Sequence, residues 1–266
     1  MSHLSGKFVW FEHSSSNIPK ARKFYEPLFN WHTESMPMGE QRYHMIFNGA
    51  DSIGGYRSAP EGARSRWIAY LSVDDVDASF AAAIAAGAKA IERPADHGDV
   101  GRGASIADPA GATLSLWKSA RGDRPDVDKT PRGDWYWNEL WTSDEIGALA
   151  FYQRVFGYSH ETMAMGPLGT YYIFKKDSVS RAGMMRSADP RAPSMWLPYV
   201  AVDDCDATVQ AAHRLGGEVL AAPTEVPGVG RYAMLADPLG AAIAVIHPAP
   251  AANAAAEAAI QEATAA

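Results

Sequence analysis

The chain repeats itself once along its length. Trp10–Trp31, "WFEHSSSNIPKARKFYEPLFNW", aligns without a gap on Trp137–Tyr158, "WNELWTSDEIGALAFYQRVFGY". Further on, "WIAYLSVDDVDA" from Trp67 returns as "WLPYVAVDDCDA" from Trp196, and "ADPAGATLSLW" from Ala107 returns as "ADPLGAAIAVI" from Ala236. The displacement moves only from 127 to 129 residues, so two extra residues in the second copy account for it. A period this long points to two domains of ordinary size. The expected divisions are a first domain over 1–121, a linker over 122–133, a second domain over 134–248 and an Ala-rich tail over 249–266. The linker is rich in Pro, Gly and charge, as an exposed connection should be.

Within each half one order of elements occurs twice. In the first half "KFVWFEH" reads as a strand and "NIPKARKFYEPLF" as a helix, with Asn17 placed to cap it and Pro19 in its first turn. "YHMIFNG" and "SIGGYR" follow as strands. "WIAYLSV" then starts a second cycle, whose helix "DASFAAAIAAG" has an Asp cap and stops at Gly87. "AKAIERP" and two strands flanking the Asp108-Pro109-Ala110-Gly111 turn complete it. The pattern predicts an α+β chain of four βαβββ modules, two to a half, with curved and mostly antiparallel sheets carrying helices on one side.

Composition narrows the function. A net charge of −7, with no basic cluster, argues against nucleic acid and anionic membranes as partners. One cysteine, Cys205, excludes an internal disulfide framework and a Cys-rich zinc site; its first-half counterpart Val76 marks it as a small apolar residue at a helix start. No apolar run reaches signal-peptide or membrane-span length, which predicts a cytoplasmic location.

With "FYEPLFNW" and "FYQRVFGY" after the first strands, and "DPAGA" and "DPLGA" before the last, the chain resembles the vicinal oxygen chelate superfamily. This group includes glyoxalase I, bleomycin- and fosfomycin-resistance proteins and extradiol dioxygenases. The resemblance implies a tandem of two glyoxalase/bleomycin-resistance-like domains, each with its paired modules forming a cup-shaped sheet around a small ligand. In metal-dependent members it further implies His, Gln and Glu ligands on first and last strands. Carried over, those positions fall on Trp10 and Trp137, on Ile68 and Leu197, on Ser115 and Ala244, and near Gly54 and Gly183. None is His or a carboxylate. Divalent transition metals need several N or O donors converging at about 2.0–2.2 Å. The expectation is therefore no metal site of the usual kind and no cofactor, with a divalent metal on a different ligand set left open.

The cups offer other chemistry. Residues two apart on a strand share a face, so Glu12 faces the cup with Trp10, and Glu139 with Trp137 and Trp141. Two readings stand for this repeated Trp-x-Glu. One is an aromatic wall with a carboxylate that accepts a donor or moves a proton; the other is a packed aromatic core with the Glu satisfied by an Arg or a backbone N–H. Tyr43 and Tyr171 occupy matching strand positions and line the cups in the first reading, as does Ser115. Arg102 and Arg231 recur in "VGR", where a turn-flanking surface role competes with anion binding. His13, His44, His97 and His213 have no His partners at corresponding places, which suits ordinary hydrogen-bonding roles.

The reading is a metal-free binder of a small, partly aromatic molecule in Trp-lined cups. The alternative is a lyase, isomerase or dioxygenase of the same superfamily, working through other metal ligands or through Glu12 or Glu139 as acid or base. The tandem would be a monomeric pseudo-dimer or a homodimer.

Overall fold

A computed structural model describes residues 2–38, 41–59, 62–166, 169–189 and 191–250 of the chain; most of the expected Ala-rich tail lies outside them. The first half runs β1 (Phe8–Ser15), α1 (Ile18–Phe29), β2 (His32–Met38), β3 (Gln41–Asn48), β4 (Asp51–Ser58), then β5 (Arg66–Ser72), α2 (Val76–Ala85), β6 (Lys89–Asp96), β7 (Gly101–Ala107) and β8 (Thr113–Ser119). The second half repeats it: β9 (Trp135–Thr142), α3 (Glu145–Phe156), β10 (Ser159–Ala164), β11 (Thr170–Lys176), β12 (Val179–Arg186), β13 (Met195–Ala201), α4 (Cys205–Arg214), β14 (Glu218–Val226), β15 (Gly230–Ala236) and β16 (Ala242–Pro248). Each half is one eight-stranded sheet, ordered β2-β3-β4-β1-β5-β8-β7-β6 and β10-β11-β12-β9-β13-β16-β15-β14. β2 and β10 carry no apolar run and little burial, so alternation alone does not reveal them.

The helices begin where short polar side chains can satisfy their first amides. Asn17 Oδ1 accepts the Lys20 amide at 3.0 Å, and Asp144 Oδ1 accepts that of Gly147 at 3.0 Å. In the second modules the caps are Asp75 and Asp204, two residues earlier than the Asp that opens the quoted helix. Asp77 and Asp206 instead sit in the first turns and pair with Arg102 and Arg231. Those two arginines are surface clamps between helix and sheet.

The cores do not respect the repeat. One joins α1 and its strands to residues of the last module, such as Val202, Ala212, Ile243 and Val245. The other joins the second module, through Phe80, Ile106 and Leu114, to α3 and its strands. The first module therefore packs on the fourth and the second on the third.

The Asp-Pro turn stitches these seams. Asp237 Oδ1 accepts the Leu239 and Ala241 amides at 2.8 and 2.9 Å, which holds the turn. Its Oδ2 lies 2.8 Å from His13 Nε2 in the other half, and both side chains are fully buried. Asp108 repeats the arrangement with a different partner: Oδ1 accepts the Ala112 amide at 2.9 Å and Oδ2 the Tyr152 hydroxyl at 3.0 Å. Tyr152 in turn accepts Trp196 Nε1 at 3.0 Å, as Tyr25 accepts Trp67 Nε1 at 2.9 Å. The joining segment is tied down too. Lys7 Nζ donates to the Arg124 and Pro125 carbonyls at 2.7 and 3.1 Å, and Ser72 Oγ to Asp123 at 2.6 Å.

Candidate functional site

The concave face of each sheet gathers the residues that the Trp-x-Glu repeat points to. β1 lies between β4 and β5, with Glu12 opposite Gly55 on one side and Ile68 on the other. β9 sets Glu139 opposite Gly183 and Leu197 in the same way. The first-half counterpart of Gly183 is thus Gly55; Gly54 pairs with Phe11 and faces the other side of the sheet.

In the first cup Glu12, 4% exposed, accepts the Tyr43 hydroxyl on Oε1 at 3.1 Å and the Tyr70 hydroxyl on Oε2 at 3.0 Å. Trp10 Nε1 donates to the Tyr43 oxygen at 3.0 Å. Arg57 Nε lies 3.0 Å from Glu12 Oε2, and its other arm reaches Glu92 at 2.8 Å. Because Glu92 is on the far edge strand β6, this pair bridges the mouth of the curved sheet. Ser105 Oγ continues the network to Glu92 at 3.0 Å and to Ser115 at 2.9 Å.

The second cup keeps the frame and drops the charges. Glu139, 5% exposed, accepts Tyr171 on Oε2 at 2.6 Å, and Tyr199 at 3.1 Å and Trp141 Nε1 at 2.6 Å on Oε1. Trp137 Nε1 donates to the Tyr171 oxygen at 2.9 Å. The counterparts of Arg57, Glu92, Ser105 and Ser115 are Met185, Ala221, Met234 and Ala244. Leu197, Tyr199, Met234, Ala244 and Ile246 form an apolar floor, with Trp137, Trp141 and Tyr232 packed around it.

Electrostatics separate the two glutamates. Burial raises the pKa of Glu139, and the Tyr171, Tyr199 and Trp141 hydrogen bonds oppose it only in part. Burial raises that of Glu12 as well, but the Arg57 charge works against it, together with the Tyr70 and Tyr43 hydroxyls. A carboxyl among neutral donors in an apolar cup can be a proton donor or acceptor. One clamped by a guanidinium is held in place by it, and here too burial prevails and the pKa stays raised.

The geometry brings Trp10, Glu12 and Tyr43 together in one cup and Trp137, Glu139, Trp141 and Tyr171 in the other, while Ser115 meets the first network through Ser105 and stands beside Tyr70, its register partner on β5. Sequence reasoning did not single out Tyr70, Tyr199, Arg57 or Glu92. Tyr70 and Tyr199 carry a usable signal, standing at the same place in "WIAYLSV" and "WLPYVAV". Arg57 and Glu92 carry none, since their counterparts differ and only the curl of the sheet joins them.

The donors do not fit the metal centre that the resemblance implies. A Cβ on Gly55 would lie 2.0 Å from the Tyr43 hydroxyl, and one on Gly183 1.8 Å from that of Tyr171. The tyrosines thus fill the space a ligating side chain would need there. Ser115 is engaged with Ser105, and among the described residues no three His, Cys, Asp or Glu side chains converge as a metal site.

Comparison with known proteins agrees with this architecture. Residues 11–117 match the family model described as Glyoxalase-like domain, and residues 139–245 that described as Glyoxalase/Bleomycin resistance protein/Dioxygenase superfamily. The chain is 36% identical over 248 residues to CFP32 of Mycobacterium tuberculosis, named provisionally as a glyoxylase, covering 91% of this chain and 94% of that one. It is 30% identical over 266 residues to the anthracycline biosynthesis protein DnrV of Streptomyces peucetius, covering 91% and 93%. In fold it is similar to the Mn(II)-bound glyoxalase from Novosphingobium aromaticivorans, at 18% identity and a TM-score of 0.61 over 93% of this chain and 83% of that one. It is also similar to 2,2',3-trihydroxybiphenyl 1,2-dioxygenase from Sphingomonas wittichii, at 15% identity and a TM-score of 0.64 over 94% and 93%. The chain belongs to the glyoxalase/bleomycin-resistance/dioxygenase superfamily, with one such domain in each half.

Proposed function

We propose that the second cup binds a small, planar, partly aromatic organic molecule without a metal, and that Glu139 is its polar anchor. The observation that carries this reading is a buried carboxyl with no cation beside it among the described residues, ringed by three neutral donors and an apolar, Trp-rich wall. Such a wall with a few convergent polar groups is the usual make-up of a small-molecule pocket. The first cup, crossed by the Arg57–Glu92 pair, serves mainly to hold the fold. Relatives named for anthracycline biosynthesis direct the search toward fused-ring aromatic compounds.

Titration with hydroxylated anthraquinones should quench the fluorescence of Trp137 and Trp141. Glu139→Gln should weaken binding about tenfold, the value of one charge-assisted hydrogen bond. Trp137→Leu should remove the quenching. No response across such a panel, or stoichiometric Mn, Fe, Ni or Zn in protein purified without chelators, would overturn the proposal.

The raised pKa of Glu139 favours a second reading, in which this carboxyl moves a proton on the bound molecule. Turnover abolished by Glu139→Gln with binding weakened only tenfold would select it. The same shift has a stability signature. A carboxyl whose folded pKa is raised contributes stability in full below its unfolded value, near 4.5, and loses it as pH rises through the folded value. Urea titrations of Glu139→Gln, which cannot ionise, should lack that decline above about pH 4.5. Parallel pH profiles for the variant and the parent would count against a displaced pKa.

A further inference from the structure

A cavity of about 310 Å³ lies between the two sheets, roofed by the segment Arg124–Thr130 and lined by neither cup glutamate. Its walls mix apolar side chains, Phe8, Phe11, Ile53 and Trp135 among them, with charged ones, Lys7, Arg124, Asp126, Asp134 and Arg181. Two of the polar side chains hold buried atoms without partners. Asn138 is 2% exposed, and among the described residues neither its Oδ1 nor its Nδ2 meets a hydrogen-bond partner. The Arg181 side chain is 9% exposed; its Nη1 donates to Asp126 at 2.7 Å, while its buried Nε–H has no partner among the described residues.

Buried polar groups are nearly always paired, so three orphaned atoms on two residues that line one cavity call for an explanation. The repeat supplies a comparison. The first-half counterparts of Asn138 and Arg181 are Phe11 and Ile53, both buried and apolar. There the Trp135 ring stacks on Phe11 at 4.3 Å, and its Nε1 donates to the Ile53 carbonyl at 2.7 Å. The counterpart of Trp135 is the smaller Phe8, which turns to Trp196 at 4.7 Å. One seam is plugged by an indole; the other keeps space and faces it with an amide and a guanidinium. Such groups cost stability unless something pairs with them.

We propose that this cavity is a second ligand site, for a small monocarboxylate with an apolar or aromatic body. Lys7 and Arg181 share the carboxylate of Asp126, at 3.1 and 2.7 Å, and Arg124 faces Asp134 at 3.4 Å, so the lining carries three cations against two carboxylates. A carboxylate takes the Arg181 Nε–H and the Asn138 amide N–H, and the ring lies against Trp135 and Phe11. The volume is at the small end of the roughly 300–1,000 Å³ usual for ligand pockets and suits a single ring.

The test uses the full chain with benzoate, and benzamide as its neutral counterpart. Benzoate should bind by calorimetry in the millimolar range or tighter and raise Tm with concentration. The near-isosteric Asn138→Asp should abolish benzoate binding by charge repulsion while benzamide binding persists. Arg181→Met should weaken benzoate at least about tenfold, whereas Arg231→Gln, removing a distant surface charge, should leave it unchanged. Asn138→Leu should raise the Tm of the unliganded protein and abolish binding. Absence of benzoate binding, binding indifferent to Asn138→Asp and Arg181→Met, or a benzoate complex with the ring seated in a cup would each overturn the proposal.

Discussion

Heated intact, the chain is expected to unfold in one transition, with equal calorimetric and van't Hoff enthalpies, although it consists of two matching domains. Each of its two main cores is built from both halves, the first module with the fourth and the second with the third. Opening either half exposes the apolar face that completes the other, so neither reaches its own two-state equilibrium. Trp67→Ala tests this at one point. Trp67 is 5% exposed, stands edge-on to Tyr25 and to Trp135 of the other half, and donates to the Tyr25 hydroxyl. Its removal should cost about 3–5 kcal/mol and lower Tm by roughly 6–20 °C for a chain of this size. That shift should move the single transition as a whole. Two calorimetric peaks, with only one displaced by Trp67→Ala, would mean that the halves fold separately.

His13→Leu should cost about 3 kcal/mol at neutral pH, the upper end for leaving a buried group, here the Asp237 carboxylate, without its hydrogen-bond partner. Leu is what the second half carries at the matching position, Leu140, so the shape is compatible with the fold. The penalty comes from Asp237. Its burial works to raise its pKa, but the His13 hydrogen bond and charge and the Ala241 and Leu239 amides outweigh this and hold it below the usual carboxylate range. A carboxylate depressed in the fold contributes stability above its unfolded pKa, near 3.8, and loses it as pH falls through the folded value. The gap between parent and His13→Leu should therefore close on acidification below about pH 4, and equilibrium denaturation across that range measures it. Asp108 shows the alternative: with Tyr152 and backbone amides but no histidine, its burial wins and its pKa is raised. A pH-independent gap would mean that His13 acts through packing alone.

The two cups show how a duplicated frame diverges. Trp, Tyr, Glu and Tyr recur in both, and a glycine beneath the first tyrosine in each leaves room for its hydroxyl. Replacing Arg57 by Met185 and Glu92 by Ala221 turns a bridged ionic cup into an apolar one with a buried acid. Dropping a cation beside a buried carboxylate favours its neutral form, which permits hydrogen-bond donation as well as acceptance.

Much of this was legible in the chain. A long exact-order repeat fixes two like domains, 3.6-residue and two-residue apolar periods fix the helices and inner strands, and "DPxGA" fixes a turn before each last strand. Alternation put Trp10 with Glu12, and Trp137 and Trp141 with Glu139, on one face each, because the pleat is local geometry. What tertiary structure decided is which distant residues meet. Nothing in "DPLGA" says that its aspartate reaches His13 in the other half, since that depends on which module packs against which. Nothing in "YRS" or "IERP" joins Arg57 to Glu92 until the sheet curls. Asn138 and Arg181 are ordinary surface-type residues in a strand pattern, and only the fit of Phe8 where its repeat has Trp135 leaves them facing a cavity. Local periodicity is written in neighbouring residues; contacts across the seam depend on volumes and angles accumulated over the sixteen strands of the described residues, and no short stretch of sequence contains them.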